Sequence, residues 1–225
     1  MKREFDFFEF ASVILPGTLA LFFGAVLSPM FKTVLLGGKF DLGELGVFVL
    51  LAYVTGHLIQ SVGNLWEPLF WKVQGGVPTS WIRREDQDLI SDPQVNLLRK
   101  QIPEKLRLDL PLNLSEIPPK RWRSITAQMY AAVESASRSK RVDAFNGNYS
   151  LLRGIASALL LLEAAICCLH PQPFKRLILG VFILLCLAIY RMRRFGLAYA
   201  RELFIQFIQL PDITSAKLSE TLDGK

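Results

Sequence analysis

Residues 45–65, LGVFVLLAYVTGHLIQSVGNL, decide the fold. The stretch has no Asp, Glu, Lys or Arg, and as a helix rising about 1.5 Å per residue it covers roughly the 30 Å of a hydrocarbon core. Residues 11–31, 151–169 and 174–190 read the same way. The last is the shortest and spans only if Lys175 and Arg176 snorkel, with charged heads at the surface and stems in lipid. The expectation is an all-α membrane protein with four transmembrane helices. A mainly helical cytoplasmic segment separates spans two and three, and span four continues into the cytoplasm. A cleaved leader does not fit the N-terminus: Asp6 and Glu9 stand where a basic region should lead, and Pro16-Gly17 interrupts the apolar run.

Orientation follows from the cations beside the spans. Lys2 and Arg3 precede span one; Lys72, Arg83, Arg84, Arg138, Lys140 and Arg141 lie near the ends of the central segment; Arg191, Arg193 and Arg194 follow span four. The other two loops offer only Lys32 and Lys39, then Lys175 and Arg176. Both termini are therefore expected in the cytoplasm, with Trp66, Trp71, Tyr149 and Tyr190 forming an inner aromatic belt. The net charge of +6 is accounted for by topology and contact with anionic lipid. Cys167, Cys168 and Cys186 fall inside spans and read as apolar filler, with no metal site or cofactor implied.

Four segments follow along the chain. Residues 1–70 form an N-terminal interfacial turn and spans one and two; 71–148 form the cytoplasmic segment; 149–210 hold spans three and four with the helical extension; 211–225 are a tail. Gly17, Ala20 and Gly24 make a small-residue face on span one. In the central segment, residues 93–101 read as a short helix. Leu106, Leu108, Leu110, Leu112 and Leu114 alternate as a half-buried extended stretch, which Pro111 restricts to an edge or unpaired position. A helix over 122–145 follows, with a natural break at Asn146-Gly147-Asn148. After Tyr190 no proline occurs until Pro211, so the last span should run on as one helix.

The sharpest functional signal is Tyr53, His57, Gln60, Asn64 and Glu67, spaced four, three, four and three. At about 100° per residue they lie within an arc of roughly 80° on span two. Polar groups in a span turn away from lipid, towards water, a partner or the bundle. Two readings stand: a pore lining, which requires oligomerisation, and interhelical hydrogen bonding. His57 reads as a neutral member of the stripe or a proton gate. Glu163 is an unusual charge for lipid, and Glu67 and Arg153 fall at similar depth and are placed to pair. A second constellation, Arg191, Arg194 and Arg201 with Arg138, Lys140 and Arg141, places cations just under the membrane, for an anionic phosphate ligand or for lipid headgroups.

No phosphate loop, Gly-x-Ser-x-Gly elbow or His-Glu-x-x-His pair occurs, so no enzyme is expected. Through the stretches Phe5-Asp-Phe-Phe-Glu-Phe10, Leu15-Pro-Gly17, Gly56-His-Leu-Ile-Gln60 and Tyr199-Ala-Arg-Glu-Leu-Phe204, the chain resembles small multi-span effectors of bacterial anti-phage systems that signal by nucleotides or oligonucleotides, including Hailong and some cyclic-oligonucleotide systems. The resemblance implies a channel-forming or membrane-disrupting effector in the inner membrane. It implies control by a nucleotide or oligonucleotide made by a companion enzyme, and a homo-oligomer, with a tetramer as the working expectation. A non-conducting adaptor that recruits a cytoplasmic partner is the alternative. A carrier fits less well, because matching halves with broken helices are absent.

Overall fold

The computed structural model describes residues 7–28, 42–111, 113–169 and 175–211. Among them every regular element is helical: α1 (Phe7–Leu27), α2 (Leu42–Val73), α3 (Pro78–Trp81), α4 (Asp92–Leu106), a 3-10 turn (Leu114–Glu116), α5 (Pro119–Ser135), α6 (Lys140–Leu169) and α7 (Lys175–Ile208). Two compact units result: Met1–Val73 with Asn146–Phe195, and Gln74–Phe145 with Gly196–Lys225.

Among the described residues three helices, α1, α2 and α6, are long and apolar enough to cross a bilayer, which is consistent with a membrane protein. In α7 the uncharged apolar run, residues 177–190, is about 14 residues and rises roughly 21 Å, short of a hydrocarbon core unless flanking cations snorkel. As expected, that helix continues without interruption to Ile208.

In the first unit α1 and α2 meet through glycine. A Cβ added at Gly17 would overlap the Ala52 carbonyl oxygen, and one added at Gly56 would overlap the carbonyl oxygen of Val13. Such contact lets dispersion and packing hold two helices where lipid removes the hydrophobic drive between them. Gly154 of α6 completes the arrangement, because its missing Cβ would lie 2.6 Å from Pro16 Cγ and 2.7 Å from Gln60 Nε2. The α6 and α7 faces then bury Ala156, Leu159, Leu162, Ile166, Val181, Leu185 and Ala188.

The second unit has a core of its own, in which Ile82, Leu98, Ile102, Trp122, Ile125, Met129, Val133, Val142, Leu203, Phe204 and Phe207 are buried together. A Ser91–Gln94 capping box starts α4. Lys105 caps the end of α7, its Nζ donating to Phe207 O and Ile208 O at 3.3 Å each and, just beyond the helix, to Leu210 O at 2.5 Å.

Several local expectations are corrected. The helix expected over 122–145 is divided: α5 ends at Ser135 in a Schellman motif, with Ser137 at φ 57, Arg138 N donating to Val133 O and Ser137 N to Glu134 O. Asn146-Gly147-Asn148 lies inside α6 and does not break it. A helical glycine costs about 1 kcal/mol, which is outweighed by burying Val142 before it and by the Tyr149 hydrogen bonds after it. From Leu106 to Leu110 half-buried leucines alternate with exposed Arg107 and Asp109, but the stretch expected to be extended is not one: Leu106 is helical, Arg107 is left-handed at φ 53, and Leu114 is buried in the 3-10 turn. Leu106 itself ends α4, which is longer than the 93–101 reading, and Leu112 lies outside the described residues.

Candidate functional site

The polar stripe of α2 divides along its length. The packed face of the helix carries Ala52, Gly56, Ile59, Gln60 and Gly63, all buried. Gln60 and Glu67 are on the edge of the stripe nearest that face, and both are held inside the first unit. The Gln60 amide donates to Ser12 O at 2.7 Å and Ser150 O at 3.2 Å, and its oxygen accepts from Arg153 Nη2 at 3.0 Å. Glu67 accepts from Arg153 Nη1 and from the Tyr149 hydroxyl, so the pairing expected from depth is present. Trp71 Nε1 donates to the Tyr149 hydroxyl at 2.8 Å, and Trp66 Nε1 to Ser157 Oγ at 2.9 Å. The network joins α1, α2 and α6. Arg153 fits because Gly63 has no side chain: a Cβ there would stand 3.1 Å from Ser157 Oγ and 3.2 Å from Arg153 Cγ.

The other edge carries Tyr53, His57, Ser61 and Asn64, all exposed. Tyr53 and His57 touch edge to face, ring centroids 4.6 Å apart, and Ser61 Oγ donates to the His57 carbonyl at 2.9 Å. Among the described residues the Tyr53 hydroxyl, the His57 imidazole and the Asn64 amide make no hydrogen bond to another helix. Exposed Leu50, Val54, Leu58 and Leu65 flank them. Glu163 of α6 has a buried Oε2 without a partner among the described residues, and the Lys175 and Arg176 side chains expected near it lie outside those described.

The expected anion-binding cations are distributed over both units. In the second, Arg141 pairs with Glu202 at 3.3 Å, Arg138 Nη1 donates to Gln209 O at 3.1 Å, and Lys140 is exposed. Arg201 Nε donates to Leu89 O at 2.9 Å and lines an open cavity of about 600 Å³ with Asp88, Ser91, Asp92 and Ile205. The capping box occupies the start of α4, and Pro93 lacks an N–H, so this cavity adds two carboxylates and few free amides to Arg201. In the first unit Arg191 lies over the Phe195 ring at 5.0 Å, and Arg194 is exposed one turn on.

Tyr130, which no sequence motif marks, donates its hydroxyl to Asp143 Oδ1 at 2.7 Å. Burial, then the bond to Asp143, raises this phenol above its ordinary range; burial, then the Asp143 charge, raises Tyr199 as well. Nothing in the local pattern announces that pairing, since Tyr130 and Asp143 belong to different helices. Among the described residues no His, Cys, Asp and Glu cluster has metal-binding geometry, and the three cysteines are free. Comparison with protein-family models, curated proteins and solved structures gives no match.

Proposed function

We propose that the chain is an oligomeric, channel-forming effector of a bacterial inner membrane, with four spans and both termini in the cytoplasm. An anionic cytoplasmic ligand, a nucleotide or oligonucleotide made by a companion enzyme in anti-phage defence, controls it. One observation carries the reading: a membrane-spanning helix whose polar stripe is satisfied along one edge leaves Tyr53, His57 and Asn64 exposed along the other. Lipid cannot hydrogen-bond them, and turning them towards water removes most of that cost. Arg191 and Arg194 are the exposed cations best placed on α7 to meet an anion. A fourth span then requires Lys175 and Arg176 at one surface and Arg191 at the other.

The non-conducting adaptor is favoured by Gln60 and Glu67, which are used in bonds between helices. Planar-bilayer recording of purified protein separates the two. A channel gives unitary currents that Asn64→Leu reduces or abolishes and that Arg194→Ala leaves intact while weakening the ligand response. An adaptor gives none.

A further inference from the structure

The exposed edge of α2 has a definable occupant. Tyr53 and Ser61 hydroxyls, the His57 imidazole and the Asn64 amide are all able both to donate and to accept, and at neutral charge none repels its like. They are laid along about 16 Å of one helix. Whatever covers them must lie in the membrane and offer hydrogen bonds at the same depths, because the bilayer core offers none. Every copy of the chain enters the membrane in the same orientation. Copies related by an axis normal to the bilayer therefore run α2 parallel to α2, and each residue meets its own counterpart at its own depth.

We propose that the exposed edge of α2 packs on the same edge of a second copy, in parallel, with each Asn64 amide and each His57 imidazole facing its counterpart across the axis. The contact deepens the channel reading by supplying the closed arrangement: paired side chains seal the path, and drawing the helices apart wets it. The self-contact itself holds whether or not the assembly conducts. Both the inner network and the Gly17–Gly56 contact lie within one protomer, so they remain in place as copies move apart.

Single cysteines at positions 57, 58 and 64 test this in the full chain with Cys167, Cys168 and Cys186 replaced by Ala, in membranes oxidised with copper phenanthroline. Leu58 is 65% exposed and sits at nearly the depth of His57 but turned about 100° around the helix. His57→Cys and Asn64→Cys should form a covalent dimer on a non-reducing gel, Leu58→Cys several-fold less, and oxidised Asn64→Cys should lose conductance that reduction restores. Cross-linking at 58 equal to that at 57 and 64, or none at 57 and 64, overturns the proposal. If currents persist in that second case, the self-contact fails while the channel reading survives. Cross-linking at 57 and 64 without any current supports the contact and removes the channel reading.

Discussion

Replacing Arg153 by Met deletes the centre of the inner network while keeping an unbranched apolar stem of similar reach. Two charge-assisted bonds are lost, to Glu67 and Gln60, and Glu67 keeps only the Tyr149 hydroxyl. Breaking a fully buried pair by removing one partner costs about 3–5 kcal/mol. Here the Arg153 and Glu67 side chains remain 17% and 23% accessible, and polar bonds between membrane helices are worth less than burial suggests because the unfolded chain finds other partners. The expected loss is therefore about 2–3 kcal/mol, a 30- to 150-fold change in the unfolding equilibrium at roughly 1.4 kcal/mol per tenfold. Trp66 and Trp71 both bond within the network, so their fluorescence during titration with sodium dodecyl sulfate reports its loss directly. Glu67→Gln should also destabilise, and the Arg153→Met/Glu67→Gln double variant should lose clearly less than the sum of the two. A loss below about 1 kcal/mol for Arg153→Met, or strict additivity in the cycle, would refute the network's role.

Three further outcomes are expected. Gly56→Ala forces α1 and α2 apart and should lower stability by about 1–3 kcal/mol or more, whereas Gly46→Ala, with nothing within 4 Å of the added Cβ, should be neutral or slightly stabilising in thermal melts. Because the Tyr130 phenol is raised in the folded state, its contribution is fully present below pH 10, the usual phenol value, and is lost as pH rises further; Tyr130→Phe should flatten that alkaline decline in a melting series, and an unchanged slope would exclude the assignment. Cysteines placed at positions 75 and 217 should react only from the cytoplasmic side and one at 38 only from outside; external labelling at 217 with internal labelling at 75 would mean three spans.

The long apolar helices α1, α2 and α6 and the uninterrupted course of α7 were readable because long apolar runs have few alternatives once charge is absent. The pairing of Glu67 with Arg153 was readable from depth alone. The fate of the stripe was harder, since Gln60 and Asn64 are only about 40° apart on the helix wheel. What separates them is the packed face set by Gly56 and Gly63, and its identity depends on which glycines α1 and α6 approach. Of the small-residue face expected on α1, Gly17 makes the contact, and its counterpart Gly56 belongs to another span. The α5 terminus was missed because a Schellman turn closed by Ser137 in place of Gly leaves little local signal, while Asn146-Gly147-Asn148 carries a strong turn signal that packing on both sides overrides. The cations of the second unit read as a cluster in sequence, and the fold gives Arg141 and Arg201 carboxylates for neighbours.

The most direct test of the central claim is thiol accessibility at position 64 during single-channel recording, on the background lacking native cysteines. With Asn64→Cys, a water-soluble cationic methanethiosulfonate should change the unitary current stepwise and irreversibly until reduced, while Leu58→Cys should be unaffected. Wild-type currents from Asn64→Cys after exposure to reagent, together with modification at Leu58→Cys, would place the conducting path elsewhere and contradict the account.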